Sequence, residues 1–236
     1  MRIYLNAGHG GYDTGAVGVK VEKEETLRLA KDIKPLLEST GHSVIMSRET
    51  DSYLSVIEIA DDANARSANL FVAIHLNASD GKGHGTECLI VSGASATSKL
   101  VAAEINKRIA SLGFTNRGVK VQDTRTYVLS HTKMPATTVE VCFIDNTDDM
   151  QLYAIKYKEI VRAITEGILA IAGGSIQNKG LIYEATRNTA FMSNAKGVNM
   201  GDEVELLSYK SGDTFATVKF NGLIGLVAFS DFKKGE

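Results

Sequence analysis

This chain has no long apolar run. None of its hydrophobic stretches approaches the roughly 20 residues that a helix needs to cross a bilayer, which excludes a helical membrane span. The start, Met1-Arg2-Ile3-Tyr4-Leu5-Asn6, leads straight into a strand-like segment without the basic and apolar regions of a secretory leader. Synthesis in the cytoplasm without a signal peptide is therefore the expectation. Sulfur ligands are scarce. Cys88 and Cys142 are the two cysteines, each inside a strand-like segment and without metal-site spacing, so two buried, reduced thiols are expected. An excess of either charge is also missing: 26 basic and 28 acidic residues leave a net charge of −2, and no nucleic-acid partner is implied. Three catalytic signatures are absent as well. Without H-E-x-x-H, C-x-x-C or G-x-S-x-G there is no helix-borne zinc pair, no redox dithiol and no serine-nucleophile elbow.

What the chain does have is alternation. Residues 2–7 and 71–76 are short apolar runs ended by Gly or Asn, the pattern of strands buried on both faces. Residues 43–47, 87–91 and 138–144 add three more strands. Between them, Leu27, Ala30, Ile33, Leu36 and Leu37 recur at helix spacing from Glu24 onward, and residues 55–68, 96–112 and 148–171 behave likewise. Strands alternating with helices predict an α/β domain over residues 1–172, a twisted mixed sheet with helices on both faces. Such a sheet gathers its functional groups at the carboxyl ends of its strands. Residues 173–180, Gly-Gly-Ser-Ile-Gln-Asn-Lys-Gly, read as a polar, glycine-bearing linker. Beyond them the helix period vanishes. Leu181–Tyr183, Glu203–Leu207, Phe215–Phe220 and Leu223–Phe229 read as short strands, with Asn221-Gly222 as a hairpin turn between the last two. Residues 181–236 therefore predict a small all-β barrel.

Four side chains have no packing role that explains them. His9 stands among glycines in Gly8-His9-Gly10-Gly11, directly after the first apolar run; small neighbours let the backbone bend and a ligand approach. A phosphate-cradling turn is the competing reading, but the third glycine of G-x-G-x-x-G and the Lys-Ser/Thr pair of a P-loop are both missing. His75 closes the apolar run Phe71-Val72-Ala73-Ile74. Glu140 lies in the middle of the apolar segment from Thr137 to Ile144, where a carboxylate is costly unless paired, metal-bound or functional and where its pKa should be perturbed. The fourth is a glutamate of Val21-Glu22-Lys23-Glu24-Glu25. That run also reads as a solvated helix start complementing the helix dipole, and spacing leaves Glu22, Glu24 and Glu25 open. Two imidazoles and one carboxylate are a common ligand set for a hydrolytic zinc with one position left for water; the remaining carboxylate is then the proton carrier. Of the other histidines, His42 reads as a turn residue, His84 as part of an exposed glycine loop, and His131 as either a surface residue or one that reaches a substrate.

These residues fall in an ordered set of motifs: Asn6 to Gly18, Glu24 to Ala30, Phe71 to Ala78 followed by Gly85-Thr86-Glu87, Arg117 to Lys120, and Met134 to Val141. In that order, residues 1–172 resemble the zinc-dependent N-acetylmuramoyl-L-alanine amidases of the amidase-3 type. The resemblance implies Zn²⁺ held by His9, Glu24 and His75, with Glu24 favoured over its neighbours. It also implies Glu140 as the catalytic glutamate and Asn77 and His131 as substrate contacts. Arg28 and His131 stand where the family often has Asn and Arg. The implied reaction is hydrolysis of the amide between N-acetylmuramic acid and L-alanine in peptidoglycan. Residues 181–236 resemble bacterial SH3-like cell-wall-binding domains, best from Gly201 to Leu206 and from Val218 to Val227, with Phe215 and Leu226 where that family often has Trp and Tyr. The combination implies a phage or prophage endolysin that reaches the cell wall after holin-dependent release. A zinc peptidase or deacylase acting on another wall amide, and a non-catalytic wall-binding protein, are the alternatives.

Overall fold

Strand and helix periods alternate through the first 172 residues, and they assemble as one layered unit. The computed structural model describes residues 1–123 and 127–174 in full and, beyond them, the backbone of seven strands. The chain separates into two units, Met1–Ile176 and Gln177–Glu236. The first contains β1 (Arg2–Ala7), α1 (Glu22–Glu38), β2 (Ser43–Met46), α2 (Val56–Ala65), β3 (Leu70–Asn77), β4 (Thr86–Ile90), α3 (Ala96–Ala110), β5 (Asn116–Val121), α4 (Tyr127–His131), β6 (Ala136–Phe143) and α5 (Thr147–Ala172). The six strands lie in the order β2-β1-β3-β6-β4-β5. β2, β1, β3 and β6 are parallel, whereas β4 runs antiparallel to β6 and parallel to β5, so the sheet is mixed.

Two features of this topology create the site. From β1 the chain steps to β2 on one side and then returns to β3 on the other, and such a reversal opens a crevice at the carboxyl ends of the strands. The reversed direction of β4 brings its amino end, with Thr86 and Glu87, to that same edge. The sheet is covered on both faces. Ile3, Leu5, Val72, Ile74, Val139 and Val141 pack with Leu29, Ile33, Ile105 and Ile164 from α1, α3 and α5. Residues of the opposite parity, Tyr4, Phe71, Ala73 and Ala136, meet Ile59 and Ala63 of α2 and Val128 and Leu129 of α4. Because side chains alternate along a strand, His75 and Glu140 share the α2–α4 face with Ala73 and Ala136.

The strands and long helices fall within a few residues of their expected positions, but β5 and α4 are additional. β5 is a largely exposed edge strand containing Asn116, Arg117 and Gly118, a composition poor in strand formers. α4 is five residues long, too short for a helical period to register. Both cysteines are buried and free. Cys142 Sγ lies 3.8 Å from Met150 Sδ, and burial pushes both thiols well above the usual range, with Glu140 reinforcing this at Cys88 and Asp149 at Cys142. Among the described residues, no helix is long and apolar enough to cross a membrane.

The second unit consists of β7 (Leu181–Ala185), β8 (Thr189–Phe191), β9 (Lys196–Val198), β10 (Glu203–Ser208), β11 (Phe215–Phe220), β12 (Leu223–Ala228) and β13 (Phe232–Lys234). Five of them form a sheet in the order β12-β11-β10-β7-β13, and β8 pairs with β9. Every pairing is antiparallel. β11 and β12 are in register from Phe215 opposite Ala228 to Phe220 opposite Leu223. The Asn221-Gly222 turn expected between them, residues 175–180 of the expected linker, and Gly201-Asp202 lie outside the described residues.

The packing of α3 on α5 makes a stability prediction. A Cβ at Gly167 of α5 would lie 2.5 Å from Ile105 Cγ1 and 2.8 Å from Ile105 Cα. Alanine normally gains about 1 kcal/mol over glycine inside a helix, but overpacking of this kind costs about 1–3 kcal/mol, and here the obstructing atoms include backbone. Gly167→Ala should therefore lower the urea midpoint of the full chain. An unchanged or raised midpoint would show that the two helices separate freely.

Candidate active site

The loop leaving β1 is built around one imidazole. His9 adopts φ 61°, a left-handed conformation uncommon outside glycine, and its neighbours are fixed by what surrounds them. A Cβ on Gly8 would lie 2.3 Å from His75 Cε1, and one on Gly15 would lie 2.6 Å from both Glu22 Oε2 and His9 Cδ2. Only hydrogen at these two positions allows the two histidines and Glu22 to converge. The loop is anchored by Arg48, which is 4% exposed. Its Nε donates to the Ala7 carbonyl at 3.0 Å, and its Nη2 donates to the carbonyls of Gly8 at 2.9 Å and Lys23 at 2.7 Å. Thr26 Oγ1 donates to the same Gly8 carbonyl at 2.7 Å. One buried guanidinium thus ties the β1 loop to the start of α1. Burial pulls the Arg48 pKa down, against the influence of Asp51 and Asp13.

Glu22, the first residue of α1 and 3% exposed, joins the two histidines. Its Oε1 lies 3.0 Å from His75 Nδ1 and accepts the Leu76 N–H at 3.1 Å. Its Oε2 lies 3.2 Å from His9 Nε2 and accepts the Ala16 N–H at 2.9 Å. The imidazole rings meet edge to face with centroids 4.9 Å apart. His9 Nδ1 pairs with Asp13 Oδ2 at 2.9 Å; with both ring nitrogens protonated, Nδ1 donates to Asp13 and Nε2 to Glu22, and loss of the Nε2 proton would present its lone pair while Asp13 holds the other nitrogen, an arrangement typical of metal-ligating histidine. Burial opposes ionisation of Glu22, but hydrogen bonds from His75 and His9 outweigh it and hold the carboxyl well below its usual range. Burial likewise opposes a charged His9, yet Glu22 and then Asp13 raise its pKa to about 9.

One ligand atom from each of His9, Glu22 and His75 lies within 4.8 Å of the other two. Two imidazole nitrogens and one carboxylate oxygen form a donor set suited to a divalent metal ion, zinc among the common ones. Metal binding would replace the protons that now balance the buried carboxylate. The residues present therefore fit the group.

The glutamate that converges on the histidines is Glu22 rather than Glu24, which is a correction to the sequence expectation. Two residues along a helix is a rotation of about 200°, so Glu24 points away from the loop and is exposed. Glu25 is buried but engaged elsewhere, accepting from Lys20 Nζ at 2.7 Å and from the Tyr153 hydroxyl at 2.8 Å.

Glu140 pairs with His75 of β3 on one side and with Glu87 of β4 on the other. Burial raises its pKa to about 7; the histidines act against this, and Glu22 and Glu87 act with it. Glu140, Glu87 and both histidines lie around one crevice. A cavity of about 590 Å³ is lined by His9, His75 and Glu140, by Asn77 and Glu87, and by an apolar wall that includes Leu54, Val56 and Val128. Asn77 Nδ2 donates to Glu87 Oε1 at 2.9 Å, and Arg117 Nε donates to Glu87 Oε2 at 2.7 Å. Of the two expected substrate contacts, Asn77 lines this cavity and His131 does not. His131 ends α4 exposed, stacked on Tyr127 at 3.7 Å between centroids. His42 bonds the Gly173 carbonyl at 2.8 Å, and His84 lies in the exposed loop before β4. The sequence alone assigns no role to Asp13 or Arg48. Asp13 carried a usable signal, a carboxylate four residues beyond the glycine-flanked histidine, whereas nothing distinguished Arg48 from a surface cation.

Residues 3–170 match the family described as Amidase_3, N-acetylmuramoyl-L-alanine amidase. The chain belongs to this family. It is 38% identical over 173 residues to an endolysin of Bacillus phage SPP1, covering 70% of this chain and 62% of the relative. It is 35% identical over 174 residues to the N-acetylmuramoyl-L-alanine amidase LytC of Bacillus subtilis, covering 71% of this chain and 35% of LytC. The chain thus spans less than two thirds of either relative. Its fold is similar to the catalytic domain of CwlV, an N-acetylmuramoyl-L-alanine amidase from Bacillus (Paenibacillus) polymyxa var. colistinus. The TM-score is 0.67 and the identity 28%, over 74% of this chain and 99% of that domain.

The geometry predicts a clean contrast between two neighbouring glutamates. Glu22→Ala should lose bound divalent metal on dialysis, while Glu24→Ala should retain about one equivalent. Elemental analysis of the two purified variants decides it, and equal metal content would reject Glu22 as the ligand.

Proposed function

We propose that this chain is a zinc-dependent N-acetylmuramoyl-L-alanine amidase that hydrolyses the bond between the lactyl group of N-acetylmuramic acid and L-alanine in peptidoglycan. The observation that carries the proposal is the convergence of His9, Glu22 and His75, with Glu140 in register beside His75 at one cavity wall. His9, Glu22 and His75 would hold the zinc, which when bound would supply Lewis acidity and lower the pKa of water. Glu140 takes the proton of the attacking water and delivers it to the amide nitrogen as the C–N bond breaks, so that L-alanine leaves with a free amine. Asp13 keeps His9 in the tautomer that presents Nε2. Asn77, fixed by Glu87, presents its amide at the cavity wall and contacts the substrate.

The chain is organised as a catalytic domain over residues 1–172, a linker over 173–180 and an SH3-like wall-binding barrel over 181–236. The short antiparallel strands of the second unit support the barrel, and likeness to a phage endolysin supports a lytic role at the cell wall. The second domain raises the local substrate concentration by holding the first at the wall.

Two experiments test this reading. Glu140→Gln should keep its zinc and lose turnover by about 10²–10⁴-fold, measured as amine released from purified sacculi. Near-normal release would remove Glu140 from the reaction, and a new amine other than that of L-alanine would indicate a different amide hydrolase. Deleting residues 175–236 should leave zinc content intact and reduce co-sedimentation with cell walls. Equal sedimentation would show that the second unit is not the wall-binding part.

A further inference from the structure

The loop that carries His9 also carries the most exposed aromatic ring of the first unit. Tyr12 is 79% exposed, and Tyr53, on the segment between β2 and α2, is 39% exposed. Their rings are stacked, with centroids 4.2 Å apart and planes inclined by 29°. Exposed aromatic surface of this extent contributes nothing to the core, and rings held in a fixed place on and against the loop that carries His9 indicate a contact surface. The pair is held firmly. Asp51 accepts the Gly11 N–H at 2.8 Å and the Lys23 ammonium at 2.7 Å, and Lys23 Nζ also donates to the Gly11 carbonyl at 2.8 Å. Gly10 and Gly11 approach this segment so closely that an added Cβ would lie 2.2 Å from the Ser52 carbonyl oxygen and 2.9 Å from Tyr53 N, respectively. The two tyrosines therefore keep a fixed position relative to the metal-binding loop. Neither tyrosine lines the cavity itself, but each directly precedes in sequence a residue that does: Asp13 after Tyr12, and Leu54 after Tyr53.

We propose that Tyr12 and Tyr53 form a subsite that stacks against a sugar ring of the glycan strand, one step out from the amide-cleaving centre. The assignment rests on the peptidoglycan reading above and adds to it where the polysaccharide lies. A hexosamine ring presents a flat face of C–H bonds that suits an aromatic face, while its hydroxyls suit polar groups at the edge. The Asp51 carboxylate, 55% exposed, holds the N–H of Gly11, the residue before Tyr12, and lies two residues before Tyr53 in sequence; it is such an acceptor. A peptide held in extended form would instead need a strand edge, and residues 47–55, which carry Tyr53, contain no strand.

The test titrates the full chain, labelled with ¹³C at its tyrosine rings, with chitotetraose, a peptide-free β-1,4-linked N-acetylhexosamine. The ring signals of Tyr12 and Tyr53 should shift together. Tyr12→Ala should bind about tenfold more weakly, followed at Tyr53, while Tyr12→Phe, which keeps the ring face, should bind within about twofold of the parent. Unmoved Tyr12 and Tyr53 signals would overturn the proposal. So would equal affinity in Tyr12→Ala, or a shift produced by a sugar-free stem peptide but not by chitotetraose. Amine release from sacculi, measured in parallel on the wild type, separates the two readings. Release without tyrosine shifts overturns the sugar subsite and leaves the amidase; tyrosine shifts without release support the subsite and overturn the amidase.

Discussion

A single buried carboxylate organises the first unit. Glu22 opens α1, where an acidic side chain would ordinarily face water and complement the helix dipole. Here its two oxygens face one histidine on β3 and one on the loop after β1, and accept backbone N–H groups of Leu76 and Ala16. Such a carboxylate can be buried only because every direction of its lone pairs is answered. The consequence is structural as well as chemical: the carboxyl end of β3, the loop after β1 and the start of α1 cannot move independently. The absence of a side-chain cap at Val21 fits this arrangement, since the first turn of α1 is secured by the site itself.

The second constraint is the Arg48 guanidinium. It has no direct carboxylate partner among its hydrogen bonds; the carbonyls of Ala7, Gly8, Lys23 and Thr50 surround it instead. Carbonyl dipoles from three chain segments thus do the work of a counter-ion. A lysine could not replace it, because only the planar fork presents donors in several fixed directions. This explains how a loop containing a left-handed His9 and closely packed glycines keeps one conformation: its carbonyls are held from behind, and its side chains are left to face the cavity.

Much of this was visible in the sequence, for identifiable reasons. A histidine among glycines, a histidine ending an apolar run and a glutamate inside one are all violations of local pattern, and the structure gathers His9, His75 and Glu140 around one cavity. Glu22 was hidden because a run of acidic residues is ordinary at a helix start, and the residue that faces inward depends on the exact phase of the helix. One residue in the helix boundary rotates the answer by about 100°. Arg48 was hidden because burial of a charged side chain is a tertiary property. Glu87 was visible only as part of a motif; its place beside Glu140 depends on β4 running against its neighbour, which no local pattern encodes. β5 escaped because an exposed edge strand can be built from residues that also suit a loop.

The two cysteines carry a quieter consequence. Each is enclosed in the core, and each thiol is held firmly in its protonated form. Attack on oxidants and exchange with disulfides both require the thiolate and a path to it. The first unit is therefore indifferent to redox poise: the same folded state suits a reducing compartment and an oxidising one, with no bond to form on leaving the first and none to lose on entering the second.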